Sequence, residues 1–111
     1  MNPFGPPVLG LPQVRLPYDT GVGHALVGPA GATVFVYFHA ETTVAEHAHG
    51  PQWGAVLQGT LTLTVAGRSS LLRPGECYFI PAGDPHGAHA TAGTALIDVF
   101  DDPSRFELAE S

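Results

Sequence analysis

The chain has 111 residues, enough for one hydrophobic core but not two, and it reads as a single domain over 1–111. Ten acidic against four basic residues leave a net charge of −6, which argues against a nucleic-acid groove or an anionic membrane as partner. Charged residues are only 13% of the chain, about half the usual share, so the surface suits an oligomer, and a homodimer is expected.

Residues 1–12 form a Pro/Gly-rich arm that is not expected to fold alone, and the sheet-packed dimer is expected to lay it across the partner. Its start has neither the charge nor the apolar run of a signal peptide, and no apolar stretch reaches membrane-spanning length. A lone Cys77, read as a buried apolar residue, excludes an intrachain disulfide, and a cytoplasmic location is expected. Short strands are predicted at 13–17 and 24–27. A stronger one covers 32–40, where Val34, Phe35, Val36, Tyr37 and Phe38 are apolar on both faces. Strands at 44–49 and 54–58 follow, then a hairpin of 61–65 and 69–72 turning at Ala66-Gly67-Arg68. Arg73-Pro74-Gly75-Glu76 is a turn of type II character, and strands at 77–80, 86–90 and 94–100 complete the set. Asp102-Pro103 is placed to start a short helical turn through Leu108. Strands every eight to twelve residues are the signature of an all-β sandwich or barrel.

Two stretches carry the chemistry. In Glu46-His47-Ala48-His49-Gly50-Pro51-Gln52, alternate residues of a strand face one side, so His47 and His49 can aim at one point. A third imidazole, His86, follows the Pro81-Ala82-Gly83 turn, which can return the chain to that point. Three neutral imidazoles from different segments suit a divalent transition ion such as Zn, Ni, Fe, Mn or Cu, without selecting among them. With Gln52 as a fourth donor, one or two coordination positions stay open, as catalysis requires and structural zinc sites do not.

These stretches resemble the two motifs of the cupins, G-x5-H-x-H-x(3,4)-E-x6-G and G-x5-P-x-G-x2-H-x3-N. The second matches through Gly75, Pro81, Gly83 and His86, with Ala90 at the final Asn position. The first matches at His47, His49 and Gly59, while the Glu41-Thr42 turn lacks the leading Gly and Gln52 stands in place of Glu. His49 and Gln52 are separated by two residues, a His-x-His-x2-Gln pattern similar to a variant of small single-domain cupins. The resemblance implies a double-stranded β-helix, or jelly-roll barrel, with one divalent metal per chain held by His47, His49, Gln52 and His86.

An amide at 52 leaves the charge of a divalent ion uncompensated, which makes the site a stronger Lewis acid. The competing reading is that Gln52 only hydrogen-bonds inside the barrel. Asp98 shares a strand face with Leu96 and Phe100 and is a candidate to orient an imidazole or act as general base, although a place at a wet subunit edge is the favoured reading. His39, at the end of the most apolar strand, is a second candidate to move protons, as a residue behind the ligands. Relatives of this architecture include dioxygenases, isomerases, decarboxylases, cyclases, lyases and sugar-binding proteins, so the fold leaves function open. The leading expectation is a metal-dependent enzyme acting on a small oxygen-rich substrate by cyclase, isomerase, lyase or dioxygenase chemistry. The alternative is a non-catalytic module that binds a sugar or metabolite.

Overall fold

The most apolar stretch of the chain forms the middle of a large sheet. In the computed structural model, which describes residues 1–109, the chain forms α1 (Pro6–Leu9), β1 (Gln13–Val14), β2 (Gly21–Gly28), β3 (Gly31–Phe38), β4 (Thr42–His47), β5 (Gln52–Gln58), β6 (Leu61–Val65), β7 (Arg68–Leu72), β8 (Cys77–Ile80), β9 (His86–Ala90) and β10 (Ala95–Phe100). A six-stranded sheet runs in the order β1-β2-β3-β10-β5-β8, and a four-stranded sheet in the order β4-β9-β6-β7. Every pairing is antiparallel, and the two sheets close on one core as a jelly-roll barrel. Among the described residues no helix is long and apolar enough to cross a membrane.

Strand β3 shows why these residues pair. Ala32, Val34, Val36 and Phe38 point inward and are buried, whereas Thr33, Phe35 and Tyr37 point outward and are half-covered. Facing them across the barrel are Leu61 and Leu63 of β6, with Val56, Ile80, Leu96 and Phe100 beside them. Burying such side chains is worth roughly 1.5–3 kcal/mol each, which makes this interior the main source of stability. The β6–β7 hairpin closes through Ala66 (φ 49°) and Gly67 (φ 81°), two left-handed residues that suit the twist of the flanking strands.

Two expectations are corrected, and the N-terminal arm packs on its own sheet. Phe4 is buried edge-on against Phe35 (5.6 Å), the Gln58 amide donates to the Met1 carbonyl (2.8 Å), and residues 6–9 form a helical turn. After β10 the chain makes only one tight turn, with the Ser104 N–H and hydroxyl donating to Asp102 Oδ1. It then runs extended, so that Arg15 N–H donates to Glu107 O, Ala109 N–H donates to Gln13 O, and Leu108 bridges Val14. This strap binds β1 because β1 is a sheet edge with free backbone groups. Cys77 is exposed, since Tyr78 and Ile80 take the inward positions of β8.

Candidate metal centre

The His47, His49 and His86 rings meet at one end of the barrel, with centroids 4.3–5.2 Å apart and the potential ligand nitrogens all within 4.8 Å of one another. A β-bulge makes this possible. Strand β4 pairs with β9 in register from Thr42↔Ala90 to Val44↔Ala88, then slips so that His47 lies opposite His86. The extra residue turns His47 inward at a position that plain alternation would have assigned to Glu46. His49 is not on the strand at all, contrary to the alternation argument; it sits in the loop after β4. That loop is tied to the second motif, because the Gly83 N–H donates to the His49 carbonyl (2.9 Å).

Each imidazole is oriented by backbone close to it in sequence. Nδ1 of His47 meets the Ala45 carbonyl (2.7 Å), Nδ1 of His49 the Gly50 carbonyl (2.7 Å), and Nδ1 of His86 the Asp84 carbonyl (2.9 Å). A carbonyl only accepts, so each Nδ1 carries the proton and each Nε2 presents a bare lone pair. Nε2 of His86 and of His49 stand 3.1 Å apart, too close for two lone pairs unless a cation lies at the cluster or one ring takes a second proton. Burial lowers the pKa of both His49 and His86 and so disfavours the extra proton. The donor set fits a divalent transition ion, and its chemistry does not distinguish which one.

The cluster opens on a cavity of about 660 Å³ inside the barrel, lined by His47, Gln52, His86, Asp98, Tyr78 and Arg105 among mostly apolar walls. Asp98 is buried, and the Tyr78 hydroxyl donates to its Oδ1. Gln52 lines the same cavity, and its amide helps to favour the ionised Asp98 carboxylate. Burial pushes the Asp98 carboxyl up to about 6, against the opposing effects of the Tyr78 hydrogen bond and the nearby Gln52 amide. A glutamate at 52 would set a second carboxylate against Asp98, which gives a physical reason for the amide.

Gly54 makes the Tyr78–Asp98 contact possible. Register places Asp98, Gly54 and Tyr78 side by side on β10, β5 and β8. A Cβ on Gly54 would collide with both the Asp98 carboxylate and the Tyr78 phenol, so the pair meets across the space a side chain would fill. Desolvation raises the Tyr78 pKa well above its ordinary value, and raises that of Tyr18, another cavity residue, to about 12. Both therefore stay protonated donors.

Arg105 reaches the cavity from the C-terminal strap, its guanidinium 4.2 Å from the Phe106 ring centroid and 5.3 Å from that of Phe100. Among the described residues its Nε is the one buried side-chain nitrogen without a hydrogen-bond partner. The remaining candidate lies elsewhere: His39 is exposed, its Nε2 3.2 Å from the Asp19 carbonyl, and it does not line the cavity. His89 is likewise outside, beside Glu41 and Thr43. Gly54, Tyr78, Tyr18 and Arg105 were not recognised from the sequence. Only Arg105 left a trace there, as one of four cations in the chain, set beside Phe106.

A double-sheeted antiparallel barrel with three inward histidines and a substrate-sized interior defines the class. The cupin domain model matches residues 34–100, and the chain belongs to the cupin family. It is similar to the structure of KdgF from a Halomonas species (26% identity over 83% of this chain and 86% of that one, TM-score 0.73). It resembles equally an RmlC-like cupin from Shewanella frigidimarina (26% identity, 85% and 86% covered, TM-score 0.74). A mutant of Bacillus subtilis oxalate decarboxylase shares the fold at 22% identity (TM-score 0.71), with this chain covered over 89% of its length and spanning only 30% of that protein. No curated protein matches the chain.

Proposed function

We propose that this cupin is a metal-dependent enzyme that performs acid–base chemistry on a small, oxygen-rich organic anion. The observation that carries the reading is the convergence of three Nε2 lone pairs, each fixed by an Nδ1 hydrogen bond to backbone, at the wall of a cavity that also holds a buried acid. His47, His49 and His86 would hold the ion, and Gln52, which lines the same cavity, would be the fourth donor. A bound divalent ion supplies Lewis acidity toward a substrate oxygen.

The residues around it divide the remaining work. Asp98 can give or take a proton near neutral pH, because burial has brought its pKa to about 6. Tyr78 fixes the direction of that carboxyl by donating to Oδ1. Arg105, packed on two phenyl rings with an unpartnered Nε, offers a positive charge and spare donors to a substrate carboxylate. The apolar walls, including Val36, Phe38, Leu63 and Leu96, keep water away from the reacting groups. Gln52 in place of a carboxylate favours cyclase, isomerase or lyase chemistry over oxygen insertion, because it withholds the negative charge of the two-His-one-carboxylate iron sites.

The test is metal content by mass spectrometry on untagged protein, followed by turnover assays on small hydroxy and keto acids. About one ion per chain, lost in His86→Ala, together with turnover lost in Asp98→Asn, is the expected result. Saturable binding of such acids with no chemical change would replace the enzyme by a binding module. No metal after reconstitution would end the reading.

A further inference from the structure

Most polar groups on the cavity wall already have a partner. Each imidazole is bonded to backbone, the Asp98 carboxylate accepts from Tyr78, and the Arg15 guanidinium lies 3.7 Å from Glu107. Arg105 and Tyr18 keep unused donors: Arg105 Nε has no partner, and the Tyr18 hydroxyl makes no hydrogen bond to a described residue. They come from opposite ends of the chain. Tyr18 sits in the bend between β1 and β2, its ring tilted on Phe38 with centroids 5.5 Å apart. A Cβ on Gly21 would approach both rings to 3.2 Å, so the missing side chain leaves room for them. Arg105 stands on the C-terminal strap, and the bond from the Arg15 N–H to the Glu107 carbonyl (2.8 Å) ties the two segments together. The charges that act on the Tyr18 phenol are those of Asp98 and Arg105. Desolvation holds that phenol at a pKa of about 12, so it remains a donor.

We propose that Tyr18 is a specificity-determining residue, which with Arg105 forms a subsite for a substrate carboxylate held away from the ion. Two unused donors on one cavity wall call for an acceptor, and a carboxylate has an oxygen for the phenol and another for the guanidinium. One positive charge and a neutral phenol balance a single negative charge. A phosphate dianion would leave the second among apolar walls and beside Asp98, at a desolvation cost that nothing offsets. A neutral amide at that end would leave the half-buried guanidinium without a counter-charge. The Phe100 ring adjoins both the His49 ring (5.6 Å) and the Arg105 guanidinium (5.3 Å), which brings both ends within reach of one small molecule. The substrate class, which rests on the proposed metal chemistry for its reacting end, is thus a short acid whose reacting oxygen and carboxylate lie at opposite ends.

Benzoate and benzamide have the same shape and differ in charge, so together they separate anion recognition from apolar packing. On metal-stripped protein at about pH 8, above the imidazole range, calorimetric titration is expected to find benzoate bound at least about 10-fold more tightly. Tyr18→Phe should weaken benzoate about 10-fold and benzamide less, and should leave the affinity for zinc at the native value. Tyr37→Phe, at an outward position of β3, should change neither. Equal binding of the two compounds overturns the subsite, and so does binding of neither. A Tyr18→Phe protein with native circular dichroism that holds benzoate as tightly as the native chain overturns it as well. None of those results alters the zinc titration of the native chain, whereas failure to bind zinc would end the proposed function and leave the benzoate result standing.

Discussion

The two halves of the cavity are assembled by opposite means. The histidine cluster is local in origin: each ring is oriented by a carbonyl one or two residues away, at Ala45, Gly50 and Asp84. The acid layer is non-local, since Asp98 meets Tyr78, twenty residues away, only through the register of β10, β5 and β8 and the missing side chain of Gly54. A cluster built from local bonds should survive changes in the sheet around it. A layer built from register should fail when one backbone position changes.

The largest effect should come from breaking the cluster. His86→Ala is expected to lower metal affinity by at least about 100-fold and to abolish turnover with it, measured by titration of metal-stripped protein. His47→Ala should behave alike. Gly54→Ala separates the two halves. Its Cβ has no room between the Tyr78 phenol and Asp98, so we expect about 1–3 kcal/mol of destabilisation by denaturant unfolding. Turnover should fall with it while metal stoichiometry stays at the native value. Equal loss of metal would mean that the halves are one unit.

The buried acid should also be legible in stability. The Asp98 pKa of about 6 lies above the usual carboxylate value of 3.8, so the unfolded chain releases this proton at lower pH than the folded one. In metal-stripped protein, against the opposite slope of His49 and His86, whose lowered pKa values cost stability in acid, the Asp98 contribution is therefore greatest below about pH 4, falls as pH rises to 6 and levels off above it, about 3 kcal/mol in all. Asp98→Asn should remove that slope and stabilise the protein at neutral pH while abolishing turnover; a pH dependence unchanged in the variant would refute it. The smallest effect belongs to the exposed Arg15–Glu107 pair at 3.7 Å. Glu107→Gln should change unfolding free energy by less than about 0.5 kcal/mol, because solvent screens the pair.

The hydrophobic alternation of β3 and β6, the turn residues at Ala66-Gly67 and Pro74-Gly75, and the spacing of His47, His49 and His86 were all readable along the chain, since each depends on neighbours a few residues apart. So were most strand positions, within a few residues at their ends. The bulge in β4 was not, because nothing in Ala45-Glu46 announces which residue will be left unpaired; β9 decides it. Nor was the environment of Asp98, which reads along the chain more readily as a wet edge than as the apolar pocket it occupies once β10 is seated between β3 and β5. The strap misled for the same reason: Asp102-Pro103 does begin a turn, but the free edge of β1 offered its backbone better partners than a helix could.

Sequence alone thus determined the all-β cupin barrel and the three imidazoles, because periodicity, turn chemistry and motif spacing are written in short range. Tertiary structure alone decided that Gln52 and Asp98 line one cavity, that Tyr78 reaches over Gly54, that Arg105 returns to the cavity, and that Trp53 and Phe79 are left outside. Those outcomes depend on which strands become neighbours and in what register, and a one-residue slip would reverse every side chain involved.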